Sequence, residues 1–500
     1  MQLLDLNVDV LLYIASFQVR REVSYLARTC RFLHDTLAPA ILKGIVTLTY
    51  LRLASFSQFM HLDSTGRRFG RDLFPFLRIL RLSLLPDYRC PMSLSDLVSA
   101  VTDLLKHCRH LVSLELYYAS ITFTPAQLQL ALSTPLPDLR TITLQSITID
   151  YRDVLAGVAS PLRTVNLTMS RRTGEDTSDS FADPDPLPFL QYHRSTLTTL
   201  TLTPVSLGDF GAPFPSVRRL TIFGFSLTND ETGWVGPLVW LFPGVEHVEL
   251  WSLYARDGSS PTYGLDPRDE TALRIAGTWR TRAKLWQAQH GTWANGLRFL
   301  RVHSMMDLYC LGLSCRIERL DVRNLSPSGT ITTGALADPR PCRLWFQILS
   351  ESDMDGAVPM LFRTVARTSS LTHLMIDLGD DLLQYSDPGK LLVQIAGLLR
   401  NTIVSHLALY IATDRFSQRE QLFGAVGPVP SSGAPEALQI CAQDNSALRR
   451  MFVGYDFESN DVRAWEAHRT TGEPIASWTE VGQSRVRELM SSEGLTRYNH

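Results

Sequence analysis

Beyond residue 70 one spacing of apolar positions recurs: apolar, two others, apolar, one other, apolar. It occurs at Leu77/Leu80/Leu82, Leu111/Leu114/Leu116, Leu139/Ile142/Leu144, Leu162/Val165/Leu167, Leu197/Leu200/Leu202 and Val217/Leu220/Ile222. It continues at Val245/Val248/Leu250, Leu297/Leu300/Val302, Ile317/Leu320/Val322, Leu371/Leu374/Ile376, Val404/Leu407/Leu409 and Leu448/Met451/Val453. The last two members of each triplet are two residues apart, so in a strand they share a face. Each triplet therefore predicts a short strand with one apolar side. Starts fall 20 to 54 residues apart, and Arg343–Ile348 supplies a degenerate unit inside the widest gap. Between strands, Leu94–Cys108 reads as a helix capped by Ser93 or Ser95, and Gly389–Arg400 reads likewise.

This pattern resembles the leucine-rich repeat, whose units run to about 20–29 residues. The resemblance implies an α/β chain folded as an irregular leucine-rich-repeat solenoid. The slot that usually holds Asn or Cys is apolar at Leu85, Ile147, Val205 and Phe225, so the usual Asn ladder is missing. An α/β domain with an ordinary parallel sheet is the alternative. Loop insertions are expected at 171–188, 324–341 and 424–435, all rich in Pro, Gly, Ser or charge. A further insertion at 251–296 contains a helical stretch, 268–293, with Trp279, Trp286 and Trp293 seven apart. That stripe either packs on the repeats or forms a knob for a partner.

The N-terminus has a different period. Asp5 or Asn7 can cap a first helix carrying Val10, Leu11, Ile14 and Ala15. Val23, Leu26, Ala27 and Cys30 form a second helical face, and Phe32, Leu33 and Leu37 a third that Pro39 should stop. Three short helices close little core alone, so apolar side chains remain for a partner. Burying about eight of them is worth roughly 12–24 kcal/mol gross, against an association cost of about 4–15 kcal/mol. The run from Leu6 through Ile14, then Val23 through His34 with Thr29-Cys30-Arg31, and the closing Pro39 to Lys43 resembles an F-box. Asn7 stands where that family usually has Pro, and Glu22-Val23 where it has Asp-Leu. The resemblance implies a three-helix module that docks a Skp-type linker protein of an SCF-type ubiquitin ligase. Leu6, Val10, Leu11, Ile14, Val23, Leu26 and Cys30 would contact that linker or shape the surface that does.

Composition narrows the partners. The 500 residues carry a formal net charge of −2 and 45% apolar side chains, which fits a folded chain without bulk affinity for nucleic acid or anionic membrane. The cluster Arg67, Arg68, Arg71 reads as a solvated loop. No secretory leader or run of 18 apolar residues is evident, and seven irregularly spaced Cys form no disulfide framework. A cytosolic or nuclear location is expected. No nucleophile elbow, phosphate loop or His-Glu-x-x-His occurs. His107-Cys108-Arg109-His110, the pair Cys310 and Cys315, and Asp183 with Asp185 read as structural or loop residues rather than sites. No catalytic residue, metal or cofactor is expected.

If the triplets face inward, the alternate residues line an open sheet face. Early units then present Ser113, Glu115, Tyr117, Thr141, Thr143 and similar polar residues. Later units present His247, Glu249, Trp251, Phe299, Arg301, His303, Arg319, Asp321, Arg323, His373, Met375 and Tyr410. Trp, Tyr and Arg are enriched at binding hot spots, so Trp251, Arg301, His303, Arg319, Asp321 and Arg323 are the candidates for holding a target. The expected organisation is an F-box-like module at 1–45, repeats at 46–455 and a C-terminal cap at 456–500. The expected function is the non-catalytic substrate receptor of an SCF-type ligase, with a Skp-type linker, a cullin scaffold and an unidentified protein substrate as partners. The alternative is an interaction scaffold that never docks a ligase.

Overall fold

The computed structural model describes residues 10, 11, 13, 20–29, 31–61, 72–85, 93–170, 185–207, 211–227, 233–254, 269–367, 370–379, 382, 388–400, 402–411, 447–454, 462–468 and 477–495. They divide into two compact units, residues 1–228 with 241–244, and 229–240 with 245–500. The division falls inside the predicted repeat array.

In the first unit, helices Arg20–Ala27 and Arg31–Leu42 pack around Leu11, Val23, Ala27, Leu33 and Leu37. Pro39 does not stop the second helix, which continues to Leu42. The Pro39 carbonyl accepts from the Lys43 amide at 3.2 Å, so the last turn closes beyond the ring. Strand β1 (Ile45–Thr49) follows, then β2 (Ile79–Ser83), β3 (Ser113–Tyr117), β4 (Thr141–Ile147), β5 (Thr164–Met169), β6 (Thr199–Thr203), β7 (Val205–Leu207) and β8 (Arg219–Leu227). The pairings are parallel, and the middle triplet residues align as Val46↔Leu80, Leu80↔Leu114, Leu114↔Ile142, Ile142↔Val165, Val165↔Leu200 and Leu200↔Leu220. A slip of one residue would turn every one of these ladders outward, so burial fixes the register.

The second unit repeats this with β9 (His247–Tyr254), β10 (Leu297–Ser304), β11 (Ile317–Asn324), β12 (Arg343–Ile348), β13 (His373–Leu378), β14 (His406–Ile411) and β15 (Arg450–Gly454). Its ladder runs Val248, Leu300, Leu320, Leu344, Leu374, Leu407, Met451. Then β16 (Val462–His468) and β17 (Ser477–Glu480) add antiparallel, and helix Gln483–Ser492 follows. Each of the twelve triplets marks a strand that contains its last two members, and no triplet residue exceeds 3% exposure. Each repeat is a short parallel strand followed by a helical or irregular return.

The returns follow local signals. Ser93 caps helix Leu94–His107 by accepting from the Asp96 amide. A capping box at Thr124 and Gln127 starts helix Pro125–Leu132. Helix Glu270–His290 buries Trp279 and Trp286 against the unit, with Trp234 and Trp279 rings 4.8 Å apart. The Trp stripe is packing, not a knob. The expected loop at 324–341 contains helix Gly329–Ala337, capped by Ser328 and burying Ile331, Ala335 and Leu336. Its Gly and Thr content masked an apolar face that the second unit buries. The segments 171–184 and 424–435, and the Arg67, Arg68, Arg71 cluster, lie outside the described residues.

Buried thiols give a direct check on this packing. Burial pushes the Cys108 thiol up to about 12 and Cys315 to about 11, and also raises fully buried Cys310. The thiolate is the reactive form. Alkylation of the native chain at about pH 8 should therefore leave peptides containing these three cysteines unmodified, with full labelling after unfolding, as read by mass spectrometry. Labelling of Cys310 in the native state would contradict the fold.

Candidate binding face on the second unit

On the first unit the alternating face is open as expected. Ser113, Glu115, Tyr117, Thr141, Thr164, Asn166, Thr199 and Thr201 are all half-buried, and only Thr143 is buried. On this face Arg81 Nε donates to Glu115 Oε2 at 2.6 Å, and the Tyr117 hydroxyl donates to the same oxygen at 3.1 Å.

The second unit departs from that expectation. Helix Gln483–Ser492 and the residues after it return across the face of β12 to β15. Val486, Leu489, Met490 and Leu495 pack against Trp345, Met375, Ala408, Tyr410 and Phe452. The Tyr410 hydroxyl donates to the Leu495 carbonyl at 2.7 Å, and burial raises its pKa. Met375 and Tyr410, expected on an open face, are thus core residues.

Arg319 and Asp321 are also corrected. They are 2% and 1% exposed. Arg319 Nε donates to Asp321 Oδ1 at 2.9 Å and its Nη1 to the Gly494 carbonyl at 2.9 Å. Arg301, in register with Asp321 on one side and Glu249 on the other, donates to both at 3.2 Å. Two guanidiniums and two carboxylates thus neutralise one another inside the unit. Arg319 and Asp321 support the face rather than contact a target.

Four of the six candidates remain accessible. Trp251, Arg301 and His303 are half-buried, and Arg323 is exposed. Both guanidinium carbons, of Arg301 and Arg323, lie 6.0 Å from the Trp251 ring, a cation–π arrangement. The His303 ring lies 6.4 Å from Trp251, and its Nε2 is 3.1 Å from Asn324 Nδ2. Burial first, and the Arg323 charge second, hold His303 below its ordinary pKa. The face therefore offers a flat indole beside the exposed Arg323 guanidinium and the His303 imidazole, with the ion-paired Arg301 at its edge. That chemistry suits a protein surface carrying aromatic or acidic side chains.

Of the N-terminal candidates, Leu11 and Val23 are each 4% exposed and belong to the module's own core, while Leu26 is half-buried against it. Val10 is exposed, and so are Tyr13 and Tyr25, which the sequence did not single out. Leu6, Ile14 and Cys30 lie outside the described residues.

No family model matches the chain, and no curated protein matches it. Among solved structures it is similar to the leucine-rich repeat-containing protein LegL7 from Legionella pneumophila, at 12% identity over 62% of this chain and 95% of that chain, with a TM-score of 0.33. It is also similar to a chain of the TLR13–ssRNA13 complex, at 12% identity over 67% of this chain and 49% of that chain, with a TM-score of 0.29. Neither likeness assigns a function. Among the described residues, no helix is long and apolar enough to cross a membrane.

Proposed function

We propose that this chain is the substrate-recognition subunit of an SCF-type E3 ubiquitin ligase. The N-terminal module docks a Skp-type linker and, through it, a cullin scaffold. The face around Trp251 and Arg323 holds a protein target. The chain itself contributes no reaction chemistry and needs no cofactor for this role. It works by proximity, raising the effective concentration of a target lysine near the conjugating subunit. A cytosolic or nuclear location goes with this role.

One observation carries the reading. The N-terminal helices close a small core on Leu11, Val23, Ala27, Leu33 and Leu37, yet leave Val10 43%, Tyr13 66% and Tyr25 51% exposed. A folded module with apolar and aromatic side chains turned outward, set ahead of a repeat array, is the arrangement of an adaptor. A second reading is an interaction scaffold without ligase docking. It is favoured by the inward turn of Leu11 and Val23, which leaves less apolar surface for a linker than the sequence suggested.

Co-purification separates the two. The full chain, co-expressed with a Skp-type linker, should retain it through purification. The triple variant Val10→Asp, Tyr13→Asp, Tyr25→Asp should lose it with its melting temperature unchanged. Retention of the linker by that variant would sink the docking role. Leu11 is unsuitable for the test, because a charge there would disrupt the module's own core.

A further inference from the structure

His373 on β13 and His406 on β14 sit side by side in register, and their rings stack with centroids 4.2 Å apart. The chain returns after helix Gln483–Ser492 to set Glu493 over them. His373 Nε2 lies 3.0 Å from Glu493 Oε2, and His406 Nε2 lies 3.8 Å from the same oxygen. All three ligand atoms fall within 4.8 Å of one another. We propose that His373, His406 and Glu493 form a binding site for a zinc-class divalent cation, which pins the C-terminal segment to the sheet.

The spacing suits that ion. Ligand atoms about 2.0–2.1 Å from zinc at tetrahedral angles stand roughly 3.4 Å apart, and the two nitrogen–oxygen separations bracket this value. Two imidazoles and one carboxylate make a donor set that zinc, cobalt and nickel accept and that calcium and magnesium do not favour.

The surroundings are built as outer partners of metal ligands are. Thr372 Oγ1 lies 2.8 Å from His373 Nδ1, and Ser405 Oγ lies 2.8 Å from His406 Nδ1. A hydroxyl can donate to a bare Nδ1 or accept from a protonated one. Each can therefore hold its ring in the tautomer that frees Nε2 for a cation. Arg450 Nη1 donates to Glu493 Oε1 at 2.5 Å, which orients the carboxylate while leaving Oε2 toward the imidazoles.

Two features set limits on affinity. The stacked rings, 7° from parallel, must tilt to aim both lone pairs at one ion; the second side-chain torsion of His is broad enough to allow it. Arg343, Arg449 and Arg450 add positive charge nearby. The fourth position faces a cleft of about 920 Å³ lined by His406, Arg450, Glu466 and Glu493, where water can complete the shell.

Titration of the tag-free, full-length chain with Co²⁺ tests this. One equivalent should develop the visible ligand-field absorption of a tetrahedral site, and Zn²⁺ should displace it and raise the melting temperature. His373→Ala and Glu493→Gln should each weaken binding by about a hundredfold or more, and Ser405→Ala by roughly tenfold, as outer-shell changes do. The conservative Glu493→Gln change keeps the proposal testable if an alanine variant fails to fold. His61, Asp103 and His107 form a second, exposed cluster with His61 Nε2 3.4 Å from Asp103 Oδ2, and His61→Ala with His107→Ala should leave the signal unchanged. No Co²⁺ absorption in the wild type, or undiminished absorption in the His373 and Glu493 variants, would overturn the site.

Discussion

Asp321→Ala should be among the most damaging single changes in the chain, costing the second unit about 3–5 kcal/mol. Asp321 accepts from both Arg319 and Arg301 at 1% side-chain exposure. Its removal takes from Arg319, whose side chain is 3% exposed, the carboxylate it donates to, and from Arg301 one of its two carboxylate partners. Replacing Arg319, Asp321, Arg301 and Glu249 together by Met, Leu, Met and Leu should cost less than the single change, because all four members of the network are then removed and none of its charges is stranded. Denaturant titration of the two variants, followed by tryptophan fluorescence, compares them. A single-variant loss under about 1 kcal/mol would show that the network is hydrated rather than buried.

The second large effect concerns the C-terminal return. Deleting residues 483–500 removes Val486, Leu489, Met490 and Leu495 from the cluster over β12 to β15. Four buried apolar side chains at about 1.5–3 kcal/mol each amount to roughly 6–12 kcal/mol gross. Trp345, Met375 and Phe452 would face water, and the Tyr410 hydroxyl would lose the Leu495 carbonyl. The truncated chain should bind a hydrophobic dye strongly and melt at a lower temperature. A truncated chain that stays dye-negative and melts as the full chain does would place that segment off the sheet.

The repeats were legible because three apolar residues at fixed spacing must all be buried together, and the spacing alone sets strand, face and register. β1 was missed because Lys43 occupies the first slot, although Val46 and Leu48 keep the other two. The open face of the later units was misjudged because a strand pattern does not say what returns to cover its second side. A signal was present all the same. Leu374-Met375-Ile376, Leu407-Ala408-Leu409-Tyr410 and Met451-Phe452-Val453 are continuous apolar runs, the mark of strands buried on both faces. The earlier Thr-Leu-Thr-Leu-Thr run at Thr199–Thr203 alternates and stays open. The cluster of His373, His406 and Glu493 had no comparable signal. Its members are 33 and 87 residues apart, and only register and the C-terminal return bring them together.

The docking role is the claim on which the functional reading stands, and calorimetry reaches it most directly. Titrating a purified Skp-type linker into the full chain should give one-to-one binding with a dissociation constant of about 1 μM or tighter, near −8 kcal/mol. The heat capacity change should be negative, as burial of the Val10, Tyr13 and Tyr25 surface requires. A flat titration at protein concentrations well above that constant would leave the chain a leucine-rich-repeat scaffold with no ligase attached.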